Sequence, residues 1–199
     1  MKKLTIFLIN IFAVCQAFAE PECPPPTELL GHTIKRAQSV LEKRFHKKVP
    51  IHGPVCWGNY FTLVPEMHSP DGPATICGGP ISAQHLQALV FNDTNQVTSV
   101  SYVLPKGVQL ETWLAGLSTL IGKIEVTYAY PDSRVFKRRS EHSEPFWKYW
   151  STDRKFFIEA TMPEGSDISV TIFDMKALGD QKEALNICFD GPDAKQNNN

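Results

Sequence analysis

Six histidines are spread through this 199-residue chain, and only two of them share a short stretch with carboxylates. His68 lies between Glu66 and Asp71, and His142 between Glu141 and Glu144. Metal binding or general acid–base chemistry needs such groups to converge in space. Both triplets sit in polar sequence, where solvated side chains are the simpler reading. A hydrolytic site would require the fold to bring these distant stretches together. The chain has no G-x-S-x-G, H-E-x-x-H, P-loop or G-x-G-x-x-G spacing. Gly78-Gly79 before Ser82 is a weak version of an anion-holding turn and more simply lets the chain turn. No catalytic residue, metal ligand or cofactor is assigned.

The five cysteines divide by compartment. Lys2 and Lys3, an apolar run from Leu4 to Phe18, and Ala17-Phe18-Ala19 before Glu20 form a secretory signal with its cleavage site after Ala19. The apolar run is short for a bilayer span of about 20 residues. Val14 before Cys15 is too bulky for a lipidation signal. Cleavage removes Cys15 and takes the net charge from −1 to −3, which gives no global bias toward nucleic acid. Cys23, Cys56, Cys77 and Cys188 then read as two structural disulfides in an oxidising compartment. The economical pairing is Cys56–Cys77 and Cys23–Cys188. Their wide gaps suit neither a zinc site nor a C-x-x-C redox motif.

The segment 133–145 (SRVFKRRSEHSEP) is longer than a hairpin needs. It carries Arg134, Phe136, Lys137, Arg138 and Arg139, with Trp147 and Trp150 just beyond. Arginine and tryptophan are enriched where binding energy concentrates. These seven residues are the expected partner-binding set. A second basic cluster, Lys35, Arg36, Lys43, His46 and Lys47, reads as the solvated face of a helix.

The elements that must hold these residues can be read from periodicity. After the stiff EPECPPP stretch, Thr27 caps a helix to about residue 45 or 47, with Leu30, Ile34, Ala37, Leu41 and Phe45 on one face. Residues 56–64 read as a strand, and the Pro/Gly-rich 65–80 as a loop. Strands at 86–91 and 97–104 flank an Asn-Asp-Thr-Asn-Gln turn, although 82–89 also admits a short helix. A second helix, 107–121, places Leu110, Trp113, Leu114, Leu117 and Ile121 on one stripe. Alternation then marks strands at Ile124–Tyr130, 146–150, 156–162 and 168–172, and 184–189 returns Cys188 to the body.

The pattern predicts an α+β fold: an antiparallel sheet with two amphipathic helices on one face, braced by disulfides. Residues 20–189 form one domain, with two α-β-β-β halves, 27–104 and 107–174, as an option, and 190–199 form a disordered tail. The class this implies is an exported, periplasmic or secreted, non-enzymatic binding protein. It would recognise a protein or envelope component, most concretely as an inhibitor or immunity-type protein. The alternative is an exported hydrolase using His68 or His142. Neither nucleic acid nor a membrane span is expected, and the oligomeric state is not fixed by the sequence.

Overall fold

The computed structural model describes residues 23–52, 60–63, 81–91, 95–131, 146–162 and 167–179. The first helix is not continuous. It divides into α1 (Pro26–Leu29) and α2 (Ile34–Phe45). Pro26 fits the first turn of α1 because its missing N–H would have no helical partner there. The break centres on Gly31, whose φ of 73° favours glycine. Its N–H donates to the Val97 carbonyl at 2.8 Å, and the Val97 N–H donates to His32 at 2.9 Å. Ile34 likewise donates to Asn95 at 3.0 Å. Backbone groups that a continuous helix would use are therefore spent on a neighbouring strand. Beyond the break, Ala37, Leu41 and Phe45 keep their expected buried face.

Eight described strands follow in one antiparallel sheet: β1 (Ile51–His52), β2 (Tyr60–Leu63), β3 (His85–Phe91), β4 (Gln96–Val103), β5 (Ile124–Thr127), β6 (Phe146–Ser151), β7 (Phe156–Thr161) and β8 (Ser169–Asp174). Between β4 and β5 runs α3 (Leu110–Ile121), and α4 (Met175–Gly179) follows β8. The spatial order is β1-β2-β3-β4-β8-β7-β6-β5. Each half is thus a helical element followed by a four-strand meander, and the halves join along β4 and β8. The fourth strand of the first half is the two-residue β1, too short to leave a periodic signal. Residues 85–91 pair as a strand, not as the helix that 82–89 admitted.

The β3–β4 register shifts at Leu89 and Val90, which face Ser99 and Val97, so Thr98 is the extra residue of a bulge. All three of Val97, Thr98 and Ser99 are buried. This is why β4 does not alternate cleanly at its start.

Directly opposed residues of an antiparallel pair share a face. One face carries Leu86, Val100, Tyr102, Val170, Ile172, Ile158 and Ala160. These form a single apolar cluster with Leu41 and Phe45 of α2 and with Trp113, Leu117 and Ile121 of α3. The opposite face is partly covered too. Phe157, Phe173 and Leu178 are buried together there, with Tyr130, Trp150 and Met175 packed around them. Asp174 sets up this cover, since its Oδ1 accepts from the Lys176 and Ala177 N–H groups at 2.9 and 3.0 Å and so caps α4.

Cys23 is buried in the main cluster and is disulfide-bonded. Cys56, Cys77 and Cys188 lie outside the described residues, as do 1–22, 65–80 and 184–199. Among the described residues, no helix is long and apolar enough to cross a membrane.

Candidate functional site: an aromatic corner at β5 and β6

The corner begins with the register of β6. Trp147 lies opposite Ala160, on the helix-bearing face, and Trp150 lies opposite Phe157, on the other. Residues three apart in a strand point to opposite sides. The two tryptophans expected to act together therefore do not share a surface. Trp150 meets Phe157 edge-on with ring centroids 5.1 Å apart, and the Arg154 guanidinium lies 5.1 Å over its ring. The Lys148 ammonium lies 4.3 Å over Tyr130 on the same side. Such cation–π contacts support the packing of that face. Of the expected set, Arg134, Phe136, Lys137, Arg138 and Arg139 lie outside the described residues.

Trp147 has different company. It is 38% exposed, and on its face the neighbouring edge strand offers Val126, 65% exposed and directly opposite Tyr149. Met162 (42% exposed) continues the alternation just past the end of β7, whereas the chain bends at Tyr128 (92% exposed) and Ala129, and Tyr130 beyond the bend packs on the opposite face. Three of the five exposed large hydrophobic residues in the described structure thus fall on one face at one end of the sheet, and a fourth, Tyr128, stands at the bend beside them. Sequence alternation marked Val126 and Tyr128 as members of an apolar face. It carried no signal that α3, ending at Ile121 with Gly122 as its stop, would leave that face bare.

Beside this patch an open groove of about 540 Å³ runs between α3 and the sheet. Glu111, Leu114 and Ser118 form its helical wall, and Ile124, Val126 and Tyr149 its sheet wall. Burial, and secondarily the Glu111 carboxylate, push the Tyr149 phenol up, so it stays protonated. The Ser118 hydroxyl donates to its own helix at Ala115, 2.6 Å away. Lys123 pairs with Glu125 at 3.1 Å. The groove combines the apolar Leu114, Ala115, Ile124 and Val126 with the polar groups of Glu111, Ser118, Lys123 and Tyr149, and its lining holds no histidine or thiol. It can take up apolar side chains, and it supplies neither a nucleophile nor a base poised beside one.

No group of three or more metal-capable side chains occurs among the described residues. Glu66, His68, Asp71, Glu141, His142 and Glu144 lie outside them. Lys35, Arg36, Lys43, His46 and Lys47 are exposed on or just after α2. No family model, curated protein or solved structure matches this chain.

Proposed function

We propose that this chain is an exported, non-enzymatic binding protein that engages a protein or cell-envelope component at the β5–β6 corner. The observation that carries this reading is the exposure of Val126, Trp147 and Met162 on a single face, with Tyr128 exposed at the adjoining bend, beside an open groove. Exposed apolar residues are ordinary when scattered, and mean more when contiguous. The basic segment 133–145 supports the same placement by its position in the sequence, between β5, which ends at Thr127, and β6, which begins at Phe146. Aromatic contacts from Tyr128 and Trp147 and charged contacts from Lys137, Arg138 and Arg139 would then act together on an acidic partner. An inhibitor-type role, in which this corner blocks a partner's working surface, is the most concrete form. Export after Ala19 and bracing through Cys56–Cys77 and Cys23–Cys188 belong to this reading, and the disulfide at Cys23 is compatible with it.

Affinity capture from envelope extract, read by mass spectrometry, tests the proposal. The wild-type protein should retain a specific partner, and a Tyr128→Ser/Trp147→Ser variant should lose it while melting at nearly the same temperature. Equal recovery by both would move the binding surface elsewhere.

A further inference from the structure

The edge of the sheet beside the patch has a readable backbone. The Thr152 N–H donates to the Lys123 carbonyl at 2.9 Å, so Lys123 turns its peptide groups toward β6. In an antiparallel ladder every second residue does this. Glu125 and Thr127 therefore also face β6, where they oppose Trp150 and Lys148. Ile124 and Val126 direct their N–H and C=O groups outward. β5 is the last strand in the described order, so among the described residues these groups form an open edge, which is a template for another strand.

We propose that the occupant is a second copy of this chain, paired β5 to β5 about a two-fold axis through Ile124. Three observations select it. A two-fold axis perpendicular to the sheet keeps each face continuous only when it passes through a residue, and the charges choose which one. Centred on Ile124, it sets Lys123 opposite Glu125 of the second copy and the reverse, an alternating quartet built from two residues already 3.1 Å apart within one chain. Centred on Glu125, it would oppose like charges. The Ile124 register also sets the outward N–H and C=O groups of Ile124 opposite those of Ile124 in the second copy, as hydrogen bonding requires, and turns the outward Val126 N–H toward the Gly122 carbonyl of that copy, since the Gly122 N–H is already given to Ser118 at 3.1 Å. Finally, it sets the exposed Val126 opposite Gly122 of the second copy, where a side chain at the glycine position would meet nothing within 4 Å. That gap accommodates the isopropyl group.

The pairing goes beyond the binding reading and needs no partner to test it. It would continue the sheet through two molecules and present two aromatic corners on one particle, a route to avidity.

Sedimentation velocity on the purified mature protein, from about 1 to about 200 µM, reads the equilibrium directly. The wild-type protein should pass from monomer to dimer across this range. Lys123→Glu and Glu125→Lys should each weaken the dimer by about tenfold or more, since each turns two attractions into repulsions. The double variant Lys123→Glu/Glu125→Lys should restore it. Val126→Pro should abolish the dimer by removing an outward N–H that the β6 ladder does not use. Circular dichroism on each variant separates loss of pairing from loss of fold, and the restored double variant needs no such control. A protein that stays monomeric throughout, or a dimer indifferent to the charge exchanges, overturns the assignment.

Discussion

Tyr102 and Trp113 stack with ring centroids 5.6 Å apart and planes tilted by 57°, joining the central strand β4 to α3. The Tyr102 hydroxyl reaches past this contact and donates to the Pro24 carbonyl at 3.2 Å. One side chain therefore ties the N-terminal segment, the middle of the sheet and the second helix together. The N-terminal segment lies 78 residues from Tyr102 along the chain.

Trp113→Ala should cost about 3–5 kcal/mol, because it empties a fully enclosed aromatic site. The indole N–H has no hydrogen-bond partner among the described residues, and an unmet buried donor is itself unfavourable. Trp113→Phe should consequently cost no more than about 1–2 kcal/mol, since it relieves that donor while keeping most of the ring. Urea denaturation of the two variants measures the contrast.

Tyr102 also makes stability depend on alkaline pH. Burial first, and the Glu28 carboxylate second, raise its ionisation far above the ordinary value of 10.0. Below pH 10 the phenol is protonated in both states, and its full contribution is present. Above pH 10 the unfolded chain releases the proton while the folded chain holds it, so stability falls as pH rises. The melting temperature should drop between about pH 10 and 11, and Tyr102→Phe should flatten that drop.

At the opposite end of the pH scale stands Asp153, in the turn between β6 and β7. The Ser151 hydroxyl donates to its Oδ1 at 2.6 Å, and the Lys155 N–H does so at 3.1 Å. These bonds hold its carboxyl below the usual 3.8. The stabilisation is present above that value and fades as pH falls through the lowered one. Asp153→Asn should therefore shift the melting temperature at neutral pH and make less difference in strong acid, as thermal scans against pH would reveal.

Gly31 is held by two constraints at once. Its φ of 73° disfavours other residues, and a methyl group there would sit 2.8 Å from the Asp174 Oδ2. Asp174 is buried and already committed to capping α4, so it has little freedom to retreat. Gly31→Ala should cost about 1–3 kcal/mol. Gly107, also at positive φ but with open space around it, should show only the backbone part of that cost on the same change.

The basic segment offers a separate test of the binding reading. On that reading these charges face solvent, so replacing Lys137, Arg138 and Arg139 together with Ala should leave the melting temperature within a few degrees, surface charges being each worth under about 0.5 kcal/mol. Capture of an acidic partner should weaken and lose salt dependence. Unchanged capture at every salt concentration would remove this segment from the site.

Strands were legible where apolar residues recur at every second position, as at Phe156, Ile158 and Ala160 and at Val170 and Ile172, although Phe157 and Phe173 fill the other face as well. The stripe of α3 was equally plain, from Leu110 to Ile121. The break at Gly31 was hidden because Leu30 and Ile34 fit a helical face by spacing, while the forces that break it come from Asn95 and Val97, some sixty residues away. Capping by Asp174 was hidden for a related reason. A five-residue helix has no period to detect, and its buried face is defined by Phe157 and Phe173 on the sheet beneath. At the corner, residue types drew notice to Trp147 and Trp150 together, and only the strand parity separated them. Exposure of Val126 depends on where a helix stops covering a sheet, which no local pattern encodes.

The join between β4 and β8 carries a kinetic consequence. Ser101 and Thr171 share a hydroxyl hydrogen bond of 2.9 Å across this join, yet they lie 70 residues apart along the chain. Each meander closes through local hairpins, whereas the join cannot form until both exist and a long loop has been closed. Folding speed should thus be governed by this central encounter, so a substitution such as Ile172→Val would slow refolding, while one in the β5–β6 hairpin would mainly hasten unfolding.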